Sequence, residues 1–326
     1  MDFGYIENSR SKILDIIKDK KEVSPRYIIN NLLISERRVF VILKSLLEQG
    51  VLEKYGSPPF VYYKLKEKSE KLYLNDFNNK EKSIIEENFI YFTPKGELLR
   101  DENAFIKWCV DRKIDYEKEV KTYIKTLEKY SNLKVNGLID ATSKFKNTFK
   151  KTAVEKMYYK DFYSIEKYGR TKLGSLVFFS KLNQSKKLIN EVVNICKKSI
   201  NSIIKKEKIE YICFIPHTIN RKVQFMKVVE NSLKLNLKTI KLEKISRNIP
   251  QKSIKKLEDR IINAKSTMYL VNKKDIKGNA LIIDDAVGSG ATINETASKI
   301  KPFCKGKIYG FSFVGSYKGY DVISEV

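Results

Sequence analysis

The sequence predicts an α/β protein whose C-terminal half is a doubly wound, largely parallel sheet, preceded by a small helical module and a basic helical middle region. Three observations carry the prediction. Short apolar runs such as YICFIP (211–216) and ALII (280–283) show no polar alternation, which suits strands covered on both faces. These runs alternate with helical patterns, QSKKLINEVVNICKKSINSII and then residues 223–235 and 292–301. The run at 280–283 ends in two carboxylates and a small-residue turn, and open α/β sheets hold their ligands at such strand ends.

At 326 residues the chain is long enough for two or three domains, and the composition shifts place them at 1–67, 68–169 and 170–326. No run approaches the roughly 18 apolar residues of a membrane span, and MDFGYIENSR lacks the apolar centre of a signal peptide. A cytoplasmic protein with no membrane partner is expected. Cys109, Cys196, Cys213 and Cys304 lie among apolar neighbours without a CxxC pair, which fits buried thiols in a reducing compartment. His217 is the one histidine, so histidine-based zinc sites are excluded.

The net charge of +25 is unevenly spread: residues 1–110 carry +2 and residues 111–326 carry +23. An excess of that size favours a polyanionic partner, DNA or RNA, over a chain that is merely lysine-rich.

Taken in order, SRSKILDIIKDK gives a first helix with Ile13, Leu14 and Ile17 on one face. Ser24-Pro25 caps a second, and Ser35 caps a third that Gly50 stops. In the third helix Val39, Ile42, Leu43, Leu46 and Leu47 lie at core spacing, with Arg37, Val41, Lys44 and Glu48 opposite. VLEKYG and FVYYKL then read as a hairpin around 56–59. Residues 66 to about 110 form a mixed connector, with FIYFTPKGELL as a hairpin and Trp108 as a core anchor. From 111 to 169 the pattern reads as helical. Its lysines interleave with Phe145, Phe149, Tyr158, Tyr159, Phe162 and Tyr163, a composition that serves either a single-strand-binding surface or, the preferred reading, an amphipathic core stripe. Beyond 170, strands are expected at 211–216, 237–242, 268–271, 280–285 and 307–315. The polar segment 243–267 is too long for a resting connection and reads as a mobile lid bringing Lys252, Lys255, Lys256 and Arg260 over an anion.

The stretch GNALIIDDAVGSGAT (278–292) is the most informative. Its turn amides and the following helix start favour an anion, while Asp284 and Asp285 suit ribose hydroxyls or, indirectly, Mg²⁺. DDAVGSGAT resembles the phosphoribosyl-pyrophosphate (PRPP) motif of type I phosphoribosyltransferases, with Gly288 where a Thr is usual. The resemblance implies that Asp284 and Asp285 approach the ribose hydroxyls and Mg²⁺, and that Ala286, Val287, Gly288, Ser289, Gly290, Ala291 and Thr292 wrap the 5′-phosphate. Across about residues 170–315 the chain looks like the ComF-type phosphoribosyltransferase-like proteins. That likeness adds Pro216, Arg221, Gln251, Arg260 and Asn263 to the site, with Lys222 beside Arg221 where a pyrophosphate would lie. Residues 10–65 resemble the winged helix-turn-helix of bacterial regulators, which implies Arg37, Arg38, Lys44 and Tyr62 as nucleic-acid contacts. Near-neutral charge leaves a docking or dimerisation role equally open, so an oligomer is possible.

Three readings follow. One is a Mg²⁺- and PRPP-dependent transferase acting on a nucleotide or nucleic acid. Its arrangement resembles phosphoribosyltransferase-like effectors of bacterial anti-phage systems, including retron-associated ones, which implies a ribonucleoprotein or reverse-transcriptase partner. Another resembles the purine repressor of Gram-positive bacteria, a winged-helix regulator that senses PRPP. The last is a non-catalytic nucleic-acid-binding scaffold.

Overall fold

A computed structural model describes residues 3–32, 34–48, 51–57, 59–65, 77–94, 96–217, 219–244, 254, 256–271 and 275–317. They form two compact units, Met1–Asn78 and Asn79–Val326.

The first unit runs α1 (Phe3–Lys20), β1 (Glu22–Val23), α2 (Pro25–Asn31), α3 (Glu36–Glu48), β2 (Leu52–Ser57) and β3 (Phe60–Leu65). The Ser24 hydroxyl accepts the Tyr27 N–H at 3.2 Å, and Pro25 opens α2 at a position that needs no amide donor. Val39, Ile42, Leu43 and Leu46 turn one face of α3 into a core with Ile13, Ile17, Ile28, Leu52 and Tyr63. The strands pair antiparallel in the order β1-β3-β2. Arg37, Phe40, Val41 and Lys44 form the outer stripe of α3.

The second unit opens with α4 (Asn79–Asn88), a two-strand ladder of β4 (Tyr91–Phe92) and β5 (Leu98–Leu99), α5 (Asp101–Asp111) and α6 (Tyr116–Ser131). Phe89, Phe105, Trp108 and Tyr123 pack edge to face or stacked, so Trp108 is the expected anchor. There follow β6 (Lys134–Val135), β7 (Leu138–Asp140), α7 (Thr142–Thr148) and β8 (Val154–Phe162). A short ladder of β9 (Ser164–Ile165) and β10 (Gly169–Arg170) leads to α8 (Lys172–Leu182) and α9 (Lys186–Lys206). Then come β11 (Ile209–Phe214), α10 (Phe225–Leu233), β12 (Lys238–Thr239), β13 (Leu242–Lys244), α11 (Leu257–Thr267), β14 (Met268–Leu270), β15 (Asn279–Val287), α12 (Ala291–Ile300) and β16 (Ile308–Gly315).

Seven of these strands make one sheet in the order β12-β11-β15-β16-β8-β7-β6. The β12-β11-β15-β16-β8 ladder is parallel throughout, and β7 and β6 add an antiparallel edge. Ala280–Ile283 and every residue of β16 are buried, as strands covered on both faces must be. The apolar stripe of α9, from Leu188 to Ile203, packs into the same core as Leu281, Ile283, Phe311 and Phe313. All four cysteines are buried free thiols.

Three expectations change. Residues 154–162 are a sheet strand, not a helix, and they pair with β16, so the sheet begins well before 170. Tyr158 and Tyr159 are buried on its opposite faces, and the lysines that flank them find partners: Lys156 pairs with Glu207 at 3.2 Å and Lys160 donates to Ser199 Oγ at 3.1 Å. The six aromatic residues of this region are buried, which removes the stacking-surface reading. Residues 268–271 do not join the main sheet; β14 pairs antiparallel with β13 instead. Within the polar segment, 257–267 is a helix packed on α12 rather than a free lid. Gln251, Lys252 and Lys255 lie outside the described residues. Among the described residues no helix is long and apolar enough to cross a membrane.

Candidate functional site

The parallel strands β11 and β15 are neighbours and end side by side, bridged by the Ile215 N–H donating to the Ile283 carbonyl at 3.0 Å. Their carboxyl ends open into a cavity of about 180 Å³. One wall is the acidic pair and the turn 286–290; the other is the loop 215–224 with Phe225 and Met226 of α10.

β15 carries its pairing with β16 through Asp284 to Val287, so both acids are part of the strand rather than of the turn after it. A strand places successive side chains on opposite faces, yet both acids line the cavity at the end of β15. The Asp285 N–H donates to Asp284 Oδ1 at 2.8 Å. Burial, and then the neighbouring charge of Asp285, push the Asp284 carboxyl up to about 7. Asp284 nevertheless keeps a partly accessible edge toward the cavity.

Gly290 turns the chain into α12 with φ +77°, a left-handed conformation that a side chain would strain. Among the described residues, the N–H groups of Gly288, Ser289, Gly290, Thr292 and Ile293 have no acceptor. Five amide dipoles at the start of a ten-residue helix form a cradle for an anion.

Four cationic side chains share this cavity: Lys181, Arg221, Lys244 and Arg260. Lys181 Nζ lies 2.6 Å from Asp285 Oδ2. The Arg221 guanidinium donates to the Lys181 carbonyl, which ties the end of α8 to the loop after β11. Lys244, at the end of β13, is held below the usual lysine range by burial, against the upward pull of Asp284 and Asp285. Arg260 is 5 % exposed; its Nε donates to the Ile254 carbonyl at 2.6 Å, and burial lowers its pKa. His217 is exposed on the rim, where partial loss of water around its ring, and then the charges of Lys244 and Lys227, lower its pKa.

Of the residues expected here, Asp284, Asp285, Ala286, Val287, Gly288, Ser289, Gly290, Thr292, Pro216, Arg221 and Arg260 line this cavity. Three others stand outside the lining. Lys222 is exposed, Ala291 is buried in the first turn of α12, and Asn263 uses its carbonyl to accept Thr267 Oγ1 at 2.7 Å within α11. Arg37, Arg38, Lys44 and Tyr62 belong to the other unit. Arg37 and Lys44 are exposed there, Arg38 is half-buried, and Tyr62 stacks on Tyr55 at 5.9 Å.

Sequence reasoning missed Lys181 and Lys244. Each is a lysine among many, and only the fold brings them to the acids. The one local signal for Lys181 is its place at the end of the apolar helix LGSLVFFSK, where a charge needs a reason to be largely covered. The chain matches no protein-family model and no curated protein.

Proposed function

We propose that the second unit is a type I phosphoribosyltransferase-like module that binds PRPP and transfers its phosphoribosyl group to a nucleotide or nucleic-acid acceptor. One observation carries the reading: a single cavity at the ends of β11 and β15 holds an acidic pair, a cradle of unpartnered amides and four cations. A sugar that bears hydroxyls between a monophosphate and a pyrophosphate needs those three elements in that combination.

In this assignment the amides of 288–290 and the first turn of α12 receive the 5′-phosphate. Asp284 and Asp285 accept hydrogen bonds from the ribose hydroxyls and face the positive charge that develops on the ring. Arg221, Lys244 and Arg260 stabilise the leaving pyrophosphate as the C1′–oxygen bond breaks and the acceptor's lone pair forms the new bond. Ile215, Ile219, Phe225, Met226 and Ile293 line the cavity and exclude water from the reacting carbon.

The residues present do not make a cage for the expected Mg²⁺. Among the described residues no three His, Cys, Asp or Glu groups converge, and Asp285 is already held by Lys181. A divalent cation at this site would need the ligand's own oxygens to complete its octahedron, and neutralisation of the pyrophosphate falls to the cationic side chains.

A second reading draws on the first unit. Its helix-strand-helix-helix-hairpin order supports the winged-helix reading, and Arg37, Phe40, Val41 and Lys44 lie three and four residues apart on one exposed stripe. Such a stripe fits a major groove, with cations for phosphate or guanine and apolar groups for thymine methyls. This favours a PRPP-responsive DNA-binding regulator.

Pyrophosphate release from PRPP, with and without added nucleic acid, decides between them. The wild type should release it, and Asp284→Asn/Asp285→Asn should lower the rate by about 100-fold or more, the scale of removing one or two electrostatic groups from a transition state. PRPP binding without release, together with duplex binding relieved by PRPP, would establish the regulator instead.

A further inference from the structure

The acidic pair already has a cation. Lys181 Nζ and Asp285 Oδ2 are 2.6 Å apart, with their side chains only 14 % and 26 % exposed, so most of the hydration of both charges is gone. Such a pair is held by its mutual attraction, and removing one partner leaves a poorly solvated charge. Lys181 is also fixed in place. Its carbonyl accepts from Arg221, its ammonium stands 5.5 Å from the Phe225 ring centre, and it sits in the last turn of α8. The other end of α8 is anchored as well. Thr171 Oγ1 accepts the Gly174 N–H at 3.0 Å, and Gly174 lies so close to the Tyr163 carbonyl that a Cβ would approach it to 2.1 Å. Lys244 adds a second ammonium whose charge acts on both acids.

We infer that Lys181 is the resident counter-ion of the acidic pair, so that this site takes its phosphate-bearing sugar ligand without a divalent cation. The inference rests on the PRPP reading for the identity of the ligand. A magnesium ion entering here would have to displace an ammonium already in contact with Asp285 and also shed water, which it does reluctantly. With two acids against Lys181, Arg221, Lys244 and Arg260, the cavity carries a cationic excess suited to an unmetallated polyanion.

Calorimetric titration of the full chain with PRPP and with inorganic pyrophosphate, in EDTA and in Mg²⁺, tests this. The wild-type dissociation constants should differ by less than about threefold between the two conditions, well under the tenfold change that corresponds to about 1.4 kcal/mol. Lys181→Met should weaken binding in EDTA by about tenfold or more, the loss of one charge-assisted contact, and Mg²⁺ should restore it. Lys181→Arg keeps the charge and should bind in EDTA like the wild type. A further readout needs no sugar. Mn²⁺ followed by electron paramagnetic resonance should show no saturable site in the wild type and one in Lys181→Met, where the Asp285 carboxylate is freed. Wild-type binding that requires Mg²⁺, or EDTA binding unchanged in Lys181→Met, overturns the inference and leaves the PRPP reading standing. Absence of binding in every arm overturns the PRPP reading and the inference with it. Should Lys181→Met fail to fold, the wild type in EDTA against Mg²⁺, with Lys181→Arg beside it, still decides.

Discussion

Asp284 shows how a single side chain records its surroundings. Loss of water and the neighbouring Asp285 raise its pKa to about 7, and Lys181 and Lys244 pull the other way. A group whose folded value lies above its unfolded value, about 3.9 for aspartate, lends stability below the lower value and loses it as pH rises through the higher one. The Asp284→Asn variant does not titrate there. Its melting temperature, measured against that of the wild type, should therefore climb between about pH 4 and about pH 8. A difference that stays flat over that range would show that Asp284 is charged throughout. The acids themselves were legible in the sequence, because two carboxylates closing an apolar run and followed by GSGAT are rare in combination. The raised pKa of Asp284 was not, since burial by distant segments sets it first, with Lys181 and Lys244, 103 and 40 residues away in the chain, opposing it.

At the scale of an element, α8 positions Lys181, and its first turn is where it can be loosened without touching the site. Thr171 both accepts the Gly174 N–H and donates to the Phe162 carbonyl at 2.7 Å, joining the helix start to the end of β8. Thr171→Ala should cost about 1 kcal/mol of unfolding free energy, the usual worth of a side-chain N-cap, measured by urea denaturation. A loss near zero would mean that packing alone holds the helix. The strand β8 shows where local reading fails. Lysines alternating irregularly with aromatics look like a helix with a stripe, but a central strand is covered on both faces and so loses its period of two. Its lysines are accommodated by Glu207 and Ser199, partners that no window of sequence contains.

For the whole molecule, the division at Asn78 and Asn79 makes a direct prediction. The second unit holds the seven-stranded sheet, its flanking helices and all the residues of the cavity. Residues 79–326 expressed alone should melt in one cooperative transition and bind PRPP within about threefold of the full chain, a difference too small to mark a lost contact. A fragment that stays unfolded would mean that the first unit completes the core. The fragment should also keep most of the net positive charge, whereas any groove-binding helix would be lost with residues 1–78.

What the sequence by itself determined is what short-range chemistry encodes: the helix cap at Ser24, the buried strands read at 211–216 and 280–285 and found at Ile209–Phe214 and Asn279–Val287, and the acidic pair with its glycine turn. These features are set by residues within one or two turns of each other, so propensity and hydrophobic period suffice. Only the tertiary structure decided that 154–162 is a central strand, that 257–267 packs as a helix with Arg260 buried, and that Lys181 meets Asp285. Each of these depends on burial by distant segments. In a chain with 64 lysines and arginines, composition cannot single out the few that the fold deprives of water.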